Sequence, residues 1–191
     1  ATEFYYDAVS LQPGVDWKEE LRKHASSAVM IAIRSEAYES RTWCRNEFIE
    51  ADTNGMPIVV VDLRTRQQHQ PERLPFGRAT TVRIHDGNLL RVIMCALTAD
   101  VRALRTEAFV GQLLAGSAFE VLPHQPSELS LGGAYERLTQ KRVGEQEAYL
   151  IYPEPRLSGA HRVAAEAILD TKSSNIILLT QAELHRHLAG S

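Results

Sequence analysis

Residues 35–47, Ser-Glu-Ala-Tyr-Glu-Ser-Arg-Thr-Trp-Cys-Arg-Asn-Glu, concentrate hydroxyls, carboxylates, a thiol and two aromatic rings in one short stretch. Trp43 precedes Glu47 by four positions, which on a helix puts both side chains on one face, their Cβ atoms about 5–6 Å apart. A carboxylate beside an aromatic face suits a flat ligand that carries or develops positive charge. The same pair also fits a plainer role, with Trp43 packing the helix onto a sheet and Glu47 standing in solvent. Tyr38 either lines a cleft or covers the core. Cys44 reads as a small packing residue, because no histidine in the local sequence pairs with it as a base. Asp7, at the carboxyl end of a short strand candidate, either faces the site or caps a turn.

Other chemistry-bearing residues carry less. His185-Arg186-His187 places its histidines two apart, on different faces of a helix, so no metal site is expected. Leu131-Gly132-Gly133-Ala134 lacks the G-x-G-x-x-G spacing, so a dinucleotide would not be held in the Rossmann manner. The arginines of residues 64–83 read as charges of a solvated loop, with phosphate contact the alternative.

These residues are positioned by an alternation of strands and helices. Residues 4–7 are a short aromatic strand candidate, followed by a turn at Leu11-Gln12-Pro13-Gly14 and a helix over 17–27. Residues 28–34 (AVMIAIR) form an apolar run that fits a strand buried on both faces of a parallel sheet. The next helix starts near Ser40 or Thr42, either of which can cap it, and stops at Asn54-Gly55. Residues 56–62 are a second buried strand, 64–80 a surface loop and 81–85 a shorter strand. A long helix over 88–113 carries Leu90, Ile93, Leu97, Val101 and Leu104 along one face. Further on, 119–122 is a strand candidate, 123–133 a loop rich in turn formers, and 149–152, 159–169 and 176–180 a last β-α-β unit with Ser158 as cap. The pattern predicts an α/β fold, with ligands beyond the carboxyl ends of the strands.

The 191 residues are 44% hydrophobic with eight prolines, enough to bury a sizeable core. The longest apolar runs fall far short of the roughly 20 residues of a membrane span. A formal net charge of -3 gives no overall attraction for nucleic acid or anionic lipid. Two cysteines, Cys44 and Cys95, in helical stretches without metal spacing, favour a reducing, cytoplasmic setting.

The 35–47 stretch is similar to the S-x-x-Y-x-x-S-x-W-C-x-x-E signature of Toll/interleukin-1 receptor (TIR) domains. It matches at Ser35, Tyr38, Trp43, Cys44 and Glu47 without a gap, with Arg41 where the family usually has serine. Phe4, Asp7, Leu11, Pro13, Gly14 and Trp17 resemble the family's second strand and BB loop, and residues 55–62 resemble its fourth strand. The resemblance covers about residues 4–110. It implies a flavodoxin-like parallel sheet, a TIR domain over 1–115, with a C-terminal α/β extension over 116–191 to which no chemistry attaches. In the family's enzymes the glutamate at the position of Glu47 is catalytic and the nicotinamide-ribose bond of NAD+ is broken. Trp43, Tyr38, Asp7 and Ser35 are then the substrate-binding candidates, NAD+ is substrate, and no separate cofactor or metal is expected. One carboxylate suffices for this reaction. Nicotinamide leaves as a neutral pyridine, so no general acid is needed, unlike ordinary glycoside hydrolysis with its two carboxyl groups.

The resemblance also implies a homo-oligomer through TIR-TIR contacts made by the BB loop, residues 8–16, and a bacterial immune effector that depletes NAD+ or makes a signal, linear or cyclic. A non-enzymatic TIR adaptor acting by homotypic binding is the alternative, and a nucleoside-processing enzyme a third. TIR domains begin with a strand and helix that precede the strand at 4–7. The expectation is therefore that these lie upstream of Ala1, or that residues 148–152 fill the gap between 4–7 and 28–34, since buried backbone groups are nearly always paired.

Overall fold

The computed structural model describes residues 28–38, 40–64, 78–83, 89–142, 146–170 and 175–190. Strands and helices alternate: β1 (Met30–Arg34), α1 (Thr42–Thr53), β2 (Ile58–Asp62), β3 (Thr80–Arg83), α2 (Leu89–Leu113), β4 (Ala118–Val121), α3 (Glu128–Lys141), β5 (Ala148–Tyr152), α4 (Gly159–Asp170), β6 (Ile176–Thr180) and α5 (Gln181–Ala189). The strands form two parallel three-stranded sheets, ordered β1-β2-β3 and β4-β5-β6. The class is α/β, as the strand and helix pattern predicts. Residues 148–152 are the middle strand of the second sheet, flanked by β4 and β6, and so do not fill a gap in the first. The strand candidate at 4–7, with Asp7, and the loop at 8–16 lie outside the described residues.

Helices cover both faces of the central strands β2 and β5, whereas Ile31 and Ile33 of β1 are 36% and 56% exposed, so the 28–34 run is not a strand buried on both faces as its sequence suggests. Every residue of β2 is buried. On one face Phe48 and Ala51 of α1 pack with Ala32, Ile58 and Val60, and burying a side chain the size of Phe48 stabilises by roughly 1.5–3 kcal/mol. On the other face Val92 and Ala96 of α2 meet Val59, Val61 and Val82. The second sheet repeats the arrangement. Leu131 and Leu138 of α3 with Ala165 and Leu169 of α4 cover one face, while Val110 at the end of α2 and Leu184 of α5 cover the other. With 25 residues α2 is about 37 Å long at 1.5 Å per residue, and it serves both sheets.

Two sequence expectations are corrected. Residues 128–133 are not loop but the first turns of α3, whose Ser127 accepts from the Ser130 N–H while the Ser130 hydroxyl accepts from the Ser127 N–H. Serine at the third helical position does the work usually expected of glutamate. Gly132-Gly133 disguises the helix further, yet Gly133 has a packing reason: a Cβ there would sit 1.9 Å from the Thr53 carbonyl oxygen. Helices α1 and α3 therefore approach backbone to backbone. The second correction concerns α2. The face of Leu90, Leu97, Val101 and Leu104 is exposed, and the helix rests on the sheet through Val92 and Ala96.

Candidate active site

The chain leaves β1 at Arg34 and reaches α1 through a compact turn. The Ser35 carbonyl accepts from the Tyr38 N–H at 3.2 Å, and the Tyr38 carbonyl from the Arg41 N–H at 3.2 Å. The Ser40 hydroxyl donates to the Ala37 carbonyl at 2.8 Å. Neither Ser40 nor Thr42 caps α1. The cap position is Arg41, without a side-chain cap hydrogen bond, and the first turn holds no acidic residue. The positive end of the helix dipole thus lies at the carboxyl end of the sheet, with neither a side-chain cap nor a first-turn carboxylate on it. At the other end Gly55, at φ 70°, terminates the helix as the Asn54-Gly55 pair predicts.

Along α1, Cys44, Phe48 and Ala51 face the sheet. Glu47 stands at the border of that face, half-buried, while Trp43 one turn earlier is 44% exposed and so is not buried against the sheet. Tyr38 is buried and packs with Phe48 and Ala32. Burial first, then the charges of Cys44 and Glu47, push its hydroxyl far above the ordinary tyrosine range, so it stays protonated. Tyr38 and Glu47 therefore feel one another's field. Ser35 is exposed at the end of β1. Of the five sequence candidates, the structure gathers Glu47, Trp43, Tyr38 and Ser35 at the β1–α1 junction, and Asp7 lies outside the described residues.

Parallel register adds a group that sequence reading missed. Arg34, Asp62 and Arg83 end their strands side by side. The Arg64 guanidinium grips the Asp62 carboxylate through Nε at 2.9 Å and Nη2 at 2.8 Å. That hydrogen bonding, opposed by burial and helped by Arg34, holds Asp62 below the usual carboxylate range. Arg34 and Asp62 are the polar residues that close the two apolar runs, which is the signal that could have found them. Arg64 is thus committed to Asp62 rather than waiting for a phosphate.

The far end of α1 is anchored in the C-terminal unit. The Ser127 hydroxyl donates to Asp52 Oδ2 at 2.5 Å, and Arg137 Nη1 donates to the Thr53 carbonyl at 2.7 Å. Burial raises the Asp52 carboxyl, against the Ser127 hydrogen bond and Arg78. His124 Nε2 accepts from the Ile58 N–H at 2.6 Å, and burial lowers its pKa to about 4 against a backbone hydrogen bond at Met56.

A cleft of about 340 Å³ lies elsewhere, lined by Ala28, Gly55, Pro57, Leu104, Glu120 and Arg137 among others. Ala28, Gly55 and Pro57 precede β1 and β2, so it sits at the amino ends of those strands, away from Glu47. Its Glu120 is already engaged by Arg137 and by Lys141. His185 and His187 are exposed on α5 against the rings of Phe109 and Tyr149, 5.1 and 5.9 Å between centroids. Among the described residues no group of three potential metal ligands occurs, and no helix is long and apolar enough to cross a membrane. No family model, curated protein or solved structure matches the chain.

Proposed function

We propose that the chain is an NAD+ glycohydrolase of TIR type with Glu47 as its catalytic carboxylate. The observation that carries the reading is the S-x-x-Y to W-C-x-x-E spacing combined with the place of Glu47: half-buried, beside neutral Tyr38, on the helix that leaves the carboxyl end of β1. Ligands of open parallel α/β sheets bind at that end.

In this mechanism the nicotinamide-ribose bond breaks with its electron pair going to the pyridine nitrogen, which was positive and becomes neutral. Positive charge appears on the ribose carbon and ring oxygen, where the Glu47 carboxylate stabilises it and orients the hydroxyls. Water then adds to that carbon and loses a proton, giving ADP-ribose. Attack by an atom of the adenine instead gives a cyclic product. Trp43, exposed one turn away, offers an aromatic face to nicotinamide or adenine. The uncapped amino end of α1 favours the diphosphate. In this reading the protein acts in the cytoplasm as an immune effector, on NAD+ as substrate, and assembles with further copies through the loop at 8–16.

Incubation of the full chain with NAD+, with product identification, tests the reading. Release of nicotinamide by the wild type, reduced at least about a hundredfold by Glu47→Gln with an unchanged circular dichroism spectrum, is expected, because one preorganised electrostatic group is worth roughly 2.7–4 kcal/mol at the transition state. No release by either protein, with self-association intact, would leave the adaptor reading. Turnover of nucleosides but not of NAD+ would support the third.

A further inference from the structure

Helix α2 is apolar on two opposite sides. Val92 and Ala96 sit on the first sheet. Leu90, Met94, Leu97 and Val101 on the far side, with Leu104 at the rim of the cleft, are between 43% and 67% exposed. Their spacing of four, three, four and three residues is the 3.5-residue repeat of a coiled-coil seam, with Met94 and Val101 at the a positions and Leu90, Leu97 and Leu104 at the d positions. A continuous exposed apolar stripe of this kind marks an interaction site.

The flanking charges choose the occupant. In this register Asp100 and Glu107 fall at g, on the border of the stripe that meets the rim of the cleft, and Arg91 and Arg105 fall at e, on the other. A parallel pair brings each g residue to the e residue five positions later on its partner, so Asp100 of each copy meets Arg105 of the other. An antiparallel pair centred on Ala99, with a layers facing d layers, would instead bring the two Asp100 carboxylates together. The stripe is therefore complementary to itself in parallel and repulsive to itself in reverse. We propose that α2 joins two copies of this chain as a parallel two-helix seam, on a surface distinct from the loop at 8–16. Two heptads bury less than a standard stable interface, so the dimer is a weak, reversible one.

Sedimentation velocity on the full chain over a concentration series tests this. In a Gly14→Trp background, which weakens association through the loop at 8–16, the chain should shift from monomer towards dimer as concentration rises, and adding Leu97→Lys should hold it monomeric with its circular dichroism spectrum unchanged. Asp100→Arg and Arg105→Asp should each weaken association at least tenfold, and the double exchange should restore it. In a background of Cys44→Ser and Cys95→Ser, Leu97→Cys should form an intermolecular disulfide on mild oxidation, because equal d positions meet only in the parallel pair. A Gly14→Trp chain monomeric at every concentration, as when another segment of the same chain covers the stripe, overturns the proposal. So does an exchange that fails to restore association, or an association that Leu97→Lys leaves intact.

Discussion

His124 should make the fold acid-sensitive in a window where ordinary carboxylates are still ionised. In the native state its Nε2 accepts from the Ile58 N–H at 2.6 Å, so that nitrogen is unprotonated, and burial holds the pKa at about 4 instead of the ordinary 6.5. The unfolded chain takes up its proton near 6.5, so between the two values it binds more protons than the native chain. The His124 contribution is complete above about pH 6.5, falls as the pH drops and is gone by about pH 4. Each pH unit of that window corresponds to about 1.36 kcal/mol, which makes the whole roughly 3 kcal/mol. Asp52 works the other way. Its carboxyl is raised, so the native state holds the extra proton; that stability is present at low pH and lost as pH rises through the native pKa. Replacing His124 by glutamine keeps an acceptor for the Ile58 N–H and removes the titration. Urea melts of wild type, His124→Gln and Asp52→Asn, followed by circular dichroism from pH 7 to pH 4, should show the wild type losing stability relative to His124→Gln. The difference should be larger still with Asp52→Asn. Parallel curves for wild type and His124→Gln would refute the account of how His124 is held.

Three further changes test how the C-terminal unit is built. Gly133→Ala should destabilise by at least about 1–3 kcal/mol, because its Cβ would overlap the Thr53 carbonyl, whereas Gly132→Ala on the same helix meets nothing within 4 Å and should stabilise by roughly 0.5–1 kcal/mol; chemical denaturation of the pair separates packing from propensity. Glu183→Gln should cost about 1–2 kcal/mol in the same measurement. The carboxylate accepts from the Thr180 N–H at 2.9 Å and binds Arg162 and Arg156 at 2.7 and 2.6 Å. Burial alone would raise its pKa, but those partners hold it below the ordinary range, so its contribution is present at neutral pH and lost as pH falls through that lowered value.

Apolar runs made most of the fold legible. IVVVD fits a buried strand and IILLT a strand candidate, as both are found, and Asn54-Gly55 marks where α1 ends. What stayed hidden depends on contacts distant in sequence. Of the two glycines that argue against a helix at 132–133, Gly133 is there because Thr53, far away in sequence, needs the space, while Gly132 answers to no contact. The alignment of Arg34 with Asp62 follows from strand register, which the local pattern does not state. In α2 the periodic leucines give the stronger signal, yet the sheet takes the smaller side chains opposite them, because a close approach of helix and sheet favours Val92 and Ala96. The candidate site was legible as a motif; its surroundings, from the missing cap to the neutral tyrosine beside Glu47, were not.

Helix α1 is the one element that links these observations. Its first turns rise from the carboxyl end of β1 and carry Trp43 and Glu47, while its last turn is fastened to the C-terminal unit through Asp52, Thr53 and the glycine contact. Only five helical steps, about 7.5 Å, separate Glu47 from Asp52. A helix over that distance behaves as a rigid rod, so whatever tilts its end must tilt Glu47 as well. A buried carboxylate is costly unless it is hydrogen-bonded, and Asp52 meets that cost with a short bond to Ser127, itself fixed by the capping box of α3. The C-terminal unit therefore does more than extend the chain. It fixes the orientation of the helix that, in the proposed reading, holds the catalytic carboxylate, and a site that stabilises developing charge depends on that orientation being set before substrate arrives.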